Sequence, residues 1–186
     1  MNSKILITAV IGIVVIGGGF VLFQQSSSTH GNVSEDSGSQ VIANGKNGGN
    51  ERMVPDLSFE DYDGNTVSLR GFKGTPIVVN SWAVWCPFCL EELPAFAEVV
   101  NEFEGDVVVI AVDRAEPLSL AKEFSDKLGV TDNLLFVLDP SDSFYKAIGG
   151  FSMPETIFVD KESVIQEHKR GPMDADEFRR RLQSIL

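Results

Sequence analysis

From about residue 53 onward the apolar positions follow two rhythms. Residues 76–81, 107–112 and 134–138 are apolar almost without interruption, the signature of strands buried on both faces. Residues 57–59 and 66–69 are shorter runs on either side of Asp63-Gly64-Asn65, which predicts a β-hairpin. Residues 156–159 and 164–168 predict two more strands around a turn at 160–163. Between the strands the spacing changes to that of helices. Residues 90–103 predict one helix, bent near Pro94, where the internal hydrogen bonding is interrupted. Residues 118–128 predict a second, stopped by Gly129, and residues 143–148 a short third, ended by Gly149-Gly150. A fourth covers 174–186, with Phe178, Leu182 and Ile185 on one stripe. Residues 70–75 read as a loop. Strands alternating with helices, then a closing hairpin and helix, predict an α/β fold with a mixed sheet covered on both faces.

The chain ahead of this region has another character. Residues 5–23 are uncharged and mostly apolar. At about 1.5 Å per residue they are just long enough to cross a bilayer core. The competing reading is a cleaved signal peptide, but the run is long for one and no A-x-A site follows. No cysteine follows that could carry a lipid anchor either. We therefore expect residues 1–23 to be an uncleaved anchor, with Lys4 and the amino terminus cytoplasmic and the rest outside. Residues 24–52 are rich in Ser, Gly and Asn and hold few bulky apolar side chains. Such a stretch cannot offset the entropy of ordering its backbone, so it reads as a flexible tether. Residues 53–186 form the globular domain.

Composition changes little until the cysteines. The formal net charge of −12 argues against non-specific nucleic-acid binding. The two cysteines, however, sit three apart in Trp82-Ala83-Val84-Trp85-Cys86-Pro87-Phe88-Cys89, between an apolar strand and a helix. With Cys86 just before the helix and Cys89 in its first turn, the two side chains are close enough to bridge. The free N–H groups of the helix end favour a thiolate at Cys86, and the thiolate is the nucleophile. Pro87 suits the first helical position, which needs no donated N–H. Structural zinc needs four ligands, and only His30 and His168 accompany the two cysteines. An inert structural disulfide is the other alternative, but so short a loop constrains the unfolded chain little. The reading is a redox-active dithiol.

Trp82 to Cys89, with Glu92-Leu93-Pro94 behind and Met153-Pro154-Glu155-Thr156 downstream, resembles the TlpA/ResA/DsbE group of membrane-tethered thiol–disulfide oxidoreductases. The resemblance covers roughly residues 53–186. It implies a thioredoxin fold with an added N-terminal β-hairpin, facing the periplasm or cell exterior. It implies reduction of protein disulfides, apocytochrome c among them, with a separate membrane thiol donor restoring the dithiol. Cys86 would attack and Cys89, more buried, would resolve. Pro154 would follow a cis peptide bond and set the Met153 backbone beside the disulfide for an extended substrate. Trp85 would pack beside the cysteines and shield them, and Pro87 and Phe88 would complete the substrate face. Neither a metal nor a cofactor is expected, and the chain is expected to act as a monomer.

The departures from thioredoxins proper matter. They carry a buried acid six residues before the first cysteine, where this chain has Asn80. Members of the resembling group use a glutamate beyond the next strand, and Glu116 matches that position. Glu116 is therefore the expected proton acceptor for Cys89; an exposed loop glutamate is the alternative. Pro87 and Phe88 add nothing that stabilises a thiolate, and Glu91 and Glu92 oppose one by like charge. A moderate thiolate pKa and a reducing couple are expected. A disulfide-donating oxidase and a non-catalytic binding module on the same scaffold are the competing functions. A peroxidase is disfavoured, because Ala83 stands where that chemistry has Thr.

Overall fold

The structure, a computed structural model, describes residues 52–103 and 105–186. The expected anchor, and the tether apart from Arg52, lie outside the described residues. No helix among the described residues is long and apolar enough to cross a membrane.

The predicted hairpin is present as β1 (Ser58–Asp61) and β2 (Thr66–Ser68). The Asp61 carboxylate accepts the backbone N–H groups of Asp63 and Asn65, which closes the turn, and Gly64 supplies its positive φ of 82°. Residues expected as a loop instead form a 3₁₀ turn over Leu69–Phe72, because Leu69 is drawn into the core. The strands β3 (Ile77–Trp82), β4 (Val108–Arg114) and β5 (Leu135–Asp139) run parallel to one another. β6 (Glu155–Val159) joins β3 antiparallel, and β7 (Ile165–Arg170) joins β6. One seven-stranded sheet results, in the order β2-β1-β5-β4-β3-β6-β7.

Both faces of its centre are covered, which is why β3 is buried along its whole length. Side chains alternate across a strand. Val78 and Trp82 therefore join the layer packed under α1 (Pro87–Val100), α2 (Leu118–Leu128) and α4 (Ala175–Gln183). Ile77 and Val79 join the opposite layer with Ile110, Val112 and Phe144 of α3 (Ser143–Ala147). α1 and α4 meet through Phe96 and Phe178, stacked with centroids 3.9 Å apart. Such a pair adds about 0.5–1.5 kcal/mol beyond its buried area.

The helix limits follow from local chemistry. Asp174 caps α4 by accepting the Glu177 N–H at 2.7 Å. Asp176 and Glu177 then lie at the positive end and Arg180 and Arg181 at the negative end. α2 stops at Gly129, whose φ is 69°. α1 runs through Pro94 and ends at Val100, with a 3₁₀ turn over Asn101–Phe103.

Candidate active site

Cys86 is the N-cap residue of α1 and Pro87 its first helical residue. The two cysteines are bridged, with Cα atoms 5.3 Å apart. Cys86 Sγ accepts the Cys89 backbone N–H at 3.2 Å. In the reduced state the same N–H and the helix end favour a thiolate on Cys86. Cys86 is 2 % exposed and Cys89 fully buried, so the order of access is the expected one by a narrow margin.

The aromatic residues divide differently from expectation. Trp85 is 61 % exposed and shields little. Trp82 is the tryptophan that shares the buried cluster with both cysteines, edge-on to Phe136 at 5.6 Å. Trp82 is the last residue of β3 and points inward, whereas Trp85 lies in the loop after it and is not held by the sheet. Phe88 is 54 % exposed beside the disulfide. On the other side, the Met153–Pro154 bond is cis, as expected. Met153 packs partly against the cluster that contains Cys86 and Cys89.

The acids are where sequence and structure part. Asn80 is buried and donates to Thr156 Oγ1 at 3.0 Å, leaving its own Oδ1 without a partner. Both Glu116 oxygens accept the Val84 N–H, at 2.8 and 3.1 Å. That fixes Glu116 to the loop two residues before Cys86. Glu116 N in turn donates to Asp113 Oδ1 at 2.9 Å, and Ala115 between them takes a positive φ of 62°. Asp113 is fully buried and its Oδ2 has no partner. Burial, together with the Glu116 carboxylate, pushes the Asp113 carboxyl up to about 8.

The like charge expected at Glu92 is not there, because its surroundings suppress ionisation. Glu92 sits three residues after Cys89 on the same helix face, buried, with neither oxygen hydrogen-bonded. Burial pushes its carboxyl up to about 8. Lys169, Asn80 and the Met173 backbone pull the other way without winning. Glu92 is thus largely neutral at pH 7 and only Glu91 stays a like charge. The signal in the sequence was positional: Cys89, Glu92, Leu93 and Phe96 lie on one stripe of the helix, so Glu92 had to be inside. A cleft of about 500 Å³ reaches it, lined by Phe88, Ala95 and Met173 among others.

Glu155 enters the sequence reading only as part of the motif around Pro154, with no role of its own. It follows Pro154, is fully buried, and its Oε1 accepts the N–H groups of Phe151 at 2.6 Å and Ser152 at 2.7 Å. Its Oε2 lies 2.6 Å from His168 Nε2. Burial would raise this carboxyl, but the two amides and His168 outweigh it and hold it below the usual carboxylate range. Among the described residues, no cluster of side chains is arranged to hold a metal ion.

A family model described as Redoxin matches residues 49–185, well over half of the sequence. The chain belongs to the redoxin family. It is 27 % identical to the thiol-disulfide oxidoreductase ResA of Geobacillus thermodenitrificans, over 71 % of this chain and 75 % of that one. It is 29 % identical to the thiol:disulfide interchange protein DsbE of Allochromatium vinosum, over 73 % and 75 %. Among solved structures, it is similar to the exposed lipoprotein thioredoxin of Streptococcus pneumoniae: 29 % identity, TM-score 0.63, 70 % of this chain and 99 % of that one. This is a thioredoxin-like α/β fold, and β1–β2 is the hairpin that precedes it.

Proposed function

We infer that the chain is an extracytoplasmic thiol–disulfide oxidoreductase that reduces protein disulfides through Cys86 and Cys89. The observation that carries this is the placement of the Cys86 sulfur. It caps α1, accepts one N–H, and is bridged to a partner that solvent does not reach. Only such a pair gives one attacking sulfur and one resolving sulfur. The names of the relatives, thiol-disulfide oxidoreductase and thiol:disulfide interchange protein, agree with it.

In the reducing direction the Cys86 thiolate attacks one sulfur of a substrate disulfide and expels the other as thiolate. Cys89 then loses its proton and attacks Cys86 Sγ. The Cys86–Cys89 bond forms, the mixed disulfide breaks, and the substrate has gained two electrons. Glu92 is the acceptor the geometry favours for the Cys89 proton, being buried, unpaired and on the same face of α1; it accepts through its ionised form, the minority at pH 7, which grows as pH rises toward 8. Glu116 braces the loop ahead of Cys86, and its role as acceptor is the alternative. Residues 1–23 anchor the domain to a membrane and residues 24–52 tether it, with the thiols outside the cell or in the periplasm. A membrane thiol donor restores the dithiol, and apocytochrome c is the first substrate to try.

The test is direct. The wild-type dithiol should reduce a protein disulfide, and Cys86→Ser should lose at least about a thousandfold in rate, since the nucleophile is gone. A couple near about −270 mV supports a reductant, and one near about −120 mV a disulfide donor. Residual reduction by Cys86→Ser at the wild-type rate overturns the mechanism.

A further inference from the structure

Among the described residues seven large apolar side chains are exposed; Trp85 and Phe88 neighbour the two cysteines along the chain, and Phe151 stands two residues before Met153, which packs against the cluster that holds them. Phe151 is the extreme case, 85 % exposed. A phenylalanine this open on a slack loop would be unremarkable surface. This loop is not slack. Its Phe151 and Ser152 N–H groups both donate to Glu155 Oε1, and Glu155 is itself fully buried at the start of β6.

The clamp is fixed from behind. Arg52 Nη2 lies 3.1 Å from His168 Nδ1. Arginine only donates, so Nδ1 accepts and the ring proton sits on Nε2, where it donates to Glu155 Oε2. A relay from Arg52 through His168 and Glu155 thus ends on the two amides that aim Phe151 outward. Burying a carboxylate is costly unless it is hydrogen-bonded and paired; here its partners are the Phe151 and Ser152 amides of the loop and His168 and Arg170 of β7, so the carboxylate ties the loop to the sheet.

We propose that Phe151 is a specificity-determining residue, that Glu155 is the positioning residue which presents it, and that together they select extended polypeptide substrates carrying an apolar side chain two positions from the reacting cysteine. This rests on the reductase reading above. The substrate sulfur must reach Cys86, between Phe88 and the Met153 loop. In an extended chain, side chains two positions apart share a face. The residue two away from the substrate cysteine therefore meets the same wall as the cysteine does. That wall offers Trp85, Phe88 and Phe151.

The experiment uses the reduced full-length chain and two ten-residue peptides. Each carries one cysteine as a mixed disulfide with thionitrobenzoate, whose release is followed by absorbance. One peptide has leucine two positions from the cysteine on each side, the other serine. The wild type should prefer the leucine peptide about tenfold in the second-order rate constant for thionitrobenzoate release, and Phe151→Ser should bring the ratio to within about twofold of one. Equal use of both peptides by the wild type, or an unchanged preference in Phe151→Ser, overturns the proposal. Glu155→Gln should lower that rate constant for the leucine peptide about fivefold, with the reduction potential as in the wild type. An unchanged rate constant for the leucine peptide, or a shifted potential, overturns the positioning role. Phe151→Ser lies at a solvent-facing position and keeps the proposal falsifiable should Glu155→Gln fail to fold. Failure of the wild type to react with either peptide and with oxidised glutathione overturns the reductase reading itself, and the selectivity with it.

Discussion

Glu92 and Asp113 are the residues whose chemistry burial changes most. Each is held as a neutral acid to about pH 8, where the unfolded chain has lost the proton near its ordinary value of 4.5 or 3.8. Between those limits the folded state binds more protons than the unfolded state, so stability falls as pH rises. The contribution is fully present below the unfolded pKa and gone above about pH 8. Glu92→Gln keeps the shape and removes one such group. Its melting temperature relative to the wild type is therefore expected to climb between about pH 5 and pH 9, by a few degrees for a gain of about 1 kcal/mol. Identical pH slopes for the two proteins would show that Glu92 ionises freely. The same variant separates the two candidate proton acceptors. With Glu92 as acceptor, Glu92→Gln flattens the pH profile of thiol exchange and Glu116→Gln lowers the rate with its profile kept. The reverse pattern assigns the proton to Glu116.

At the level of elements, the segment between α3 and β6 is the one most tightly specified. Gly150 has no room for a side chain: a Cβ there would stand 2.4–2.5 Å from the Tyr145 ring. That ring has no easy retreat, because the Arg114 guanidinium lies 3.5 Å from its centroid and is itself bound to Asp142 by two hydrogen bonds. Gly150→Ala is expected to cost about 1–3 kcal/mol, as overpacking does, read as a lower urea midpoint. It should also disturb the Phe151 loop that follows. Tyr145→Ala in the same background should restore the midpoint in part, since it removes the atoms in the way.

Across the whole molecule the net charge of −12 sets how partners arrive. Exchange with a cationic protein is expected to slow severalfold as salt rises from about 0.05 to 0.5 M, because the attraction that speeds encounter is screened. An acidic substrate should show the opposite trend. Stopped-flow rates over that range check it, and rates independent of salt for both would mean that no long-range field acts at the mouth of the site. The sheet itself gives the site its rigidity. β3 and β4 end, and β6 begins, on the side where the cysteines, Glu116 and the Met153 loop meet, so three strands distant in sequence hold the parts of one site.

Much of this was written in local order. Cys86 at a helix cap, Pro87 behind it, the hairpin turn at Asp63 to Asn65 and the stop at Gly129 each depend on a few consecutive residues, so the pattern alone determined them. The succession of apolar runs likewise determined a mixed sheet with helices on both faces. What it could not determine is which polar groups lose their water. Glu92 is a neutral acid because β3, the Lys169 region and Met173 close over it. Trp82 rather than Trp85 lines the cysteines because only the former ends a buried strand. Glu155 holds the Phe151 and Ser152 amides as a buried carboxylate because β7 brings His168 alongside. Hydration is removed by neighbours far apart along the chain, and only the tertiary structure decides who those neighbours are.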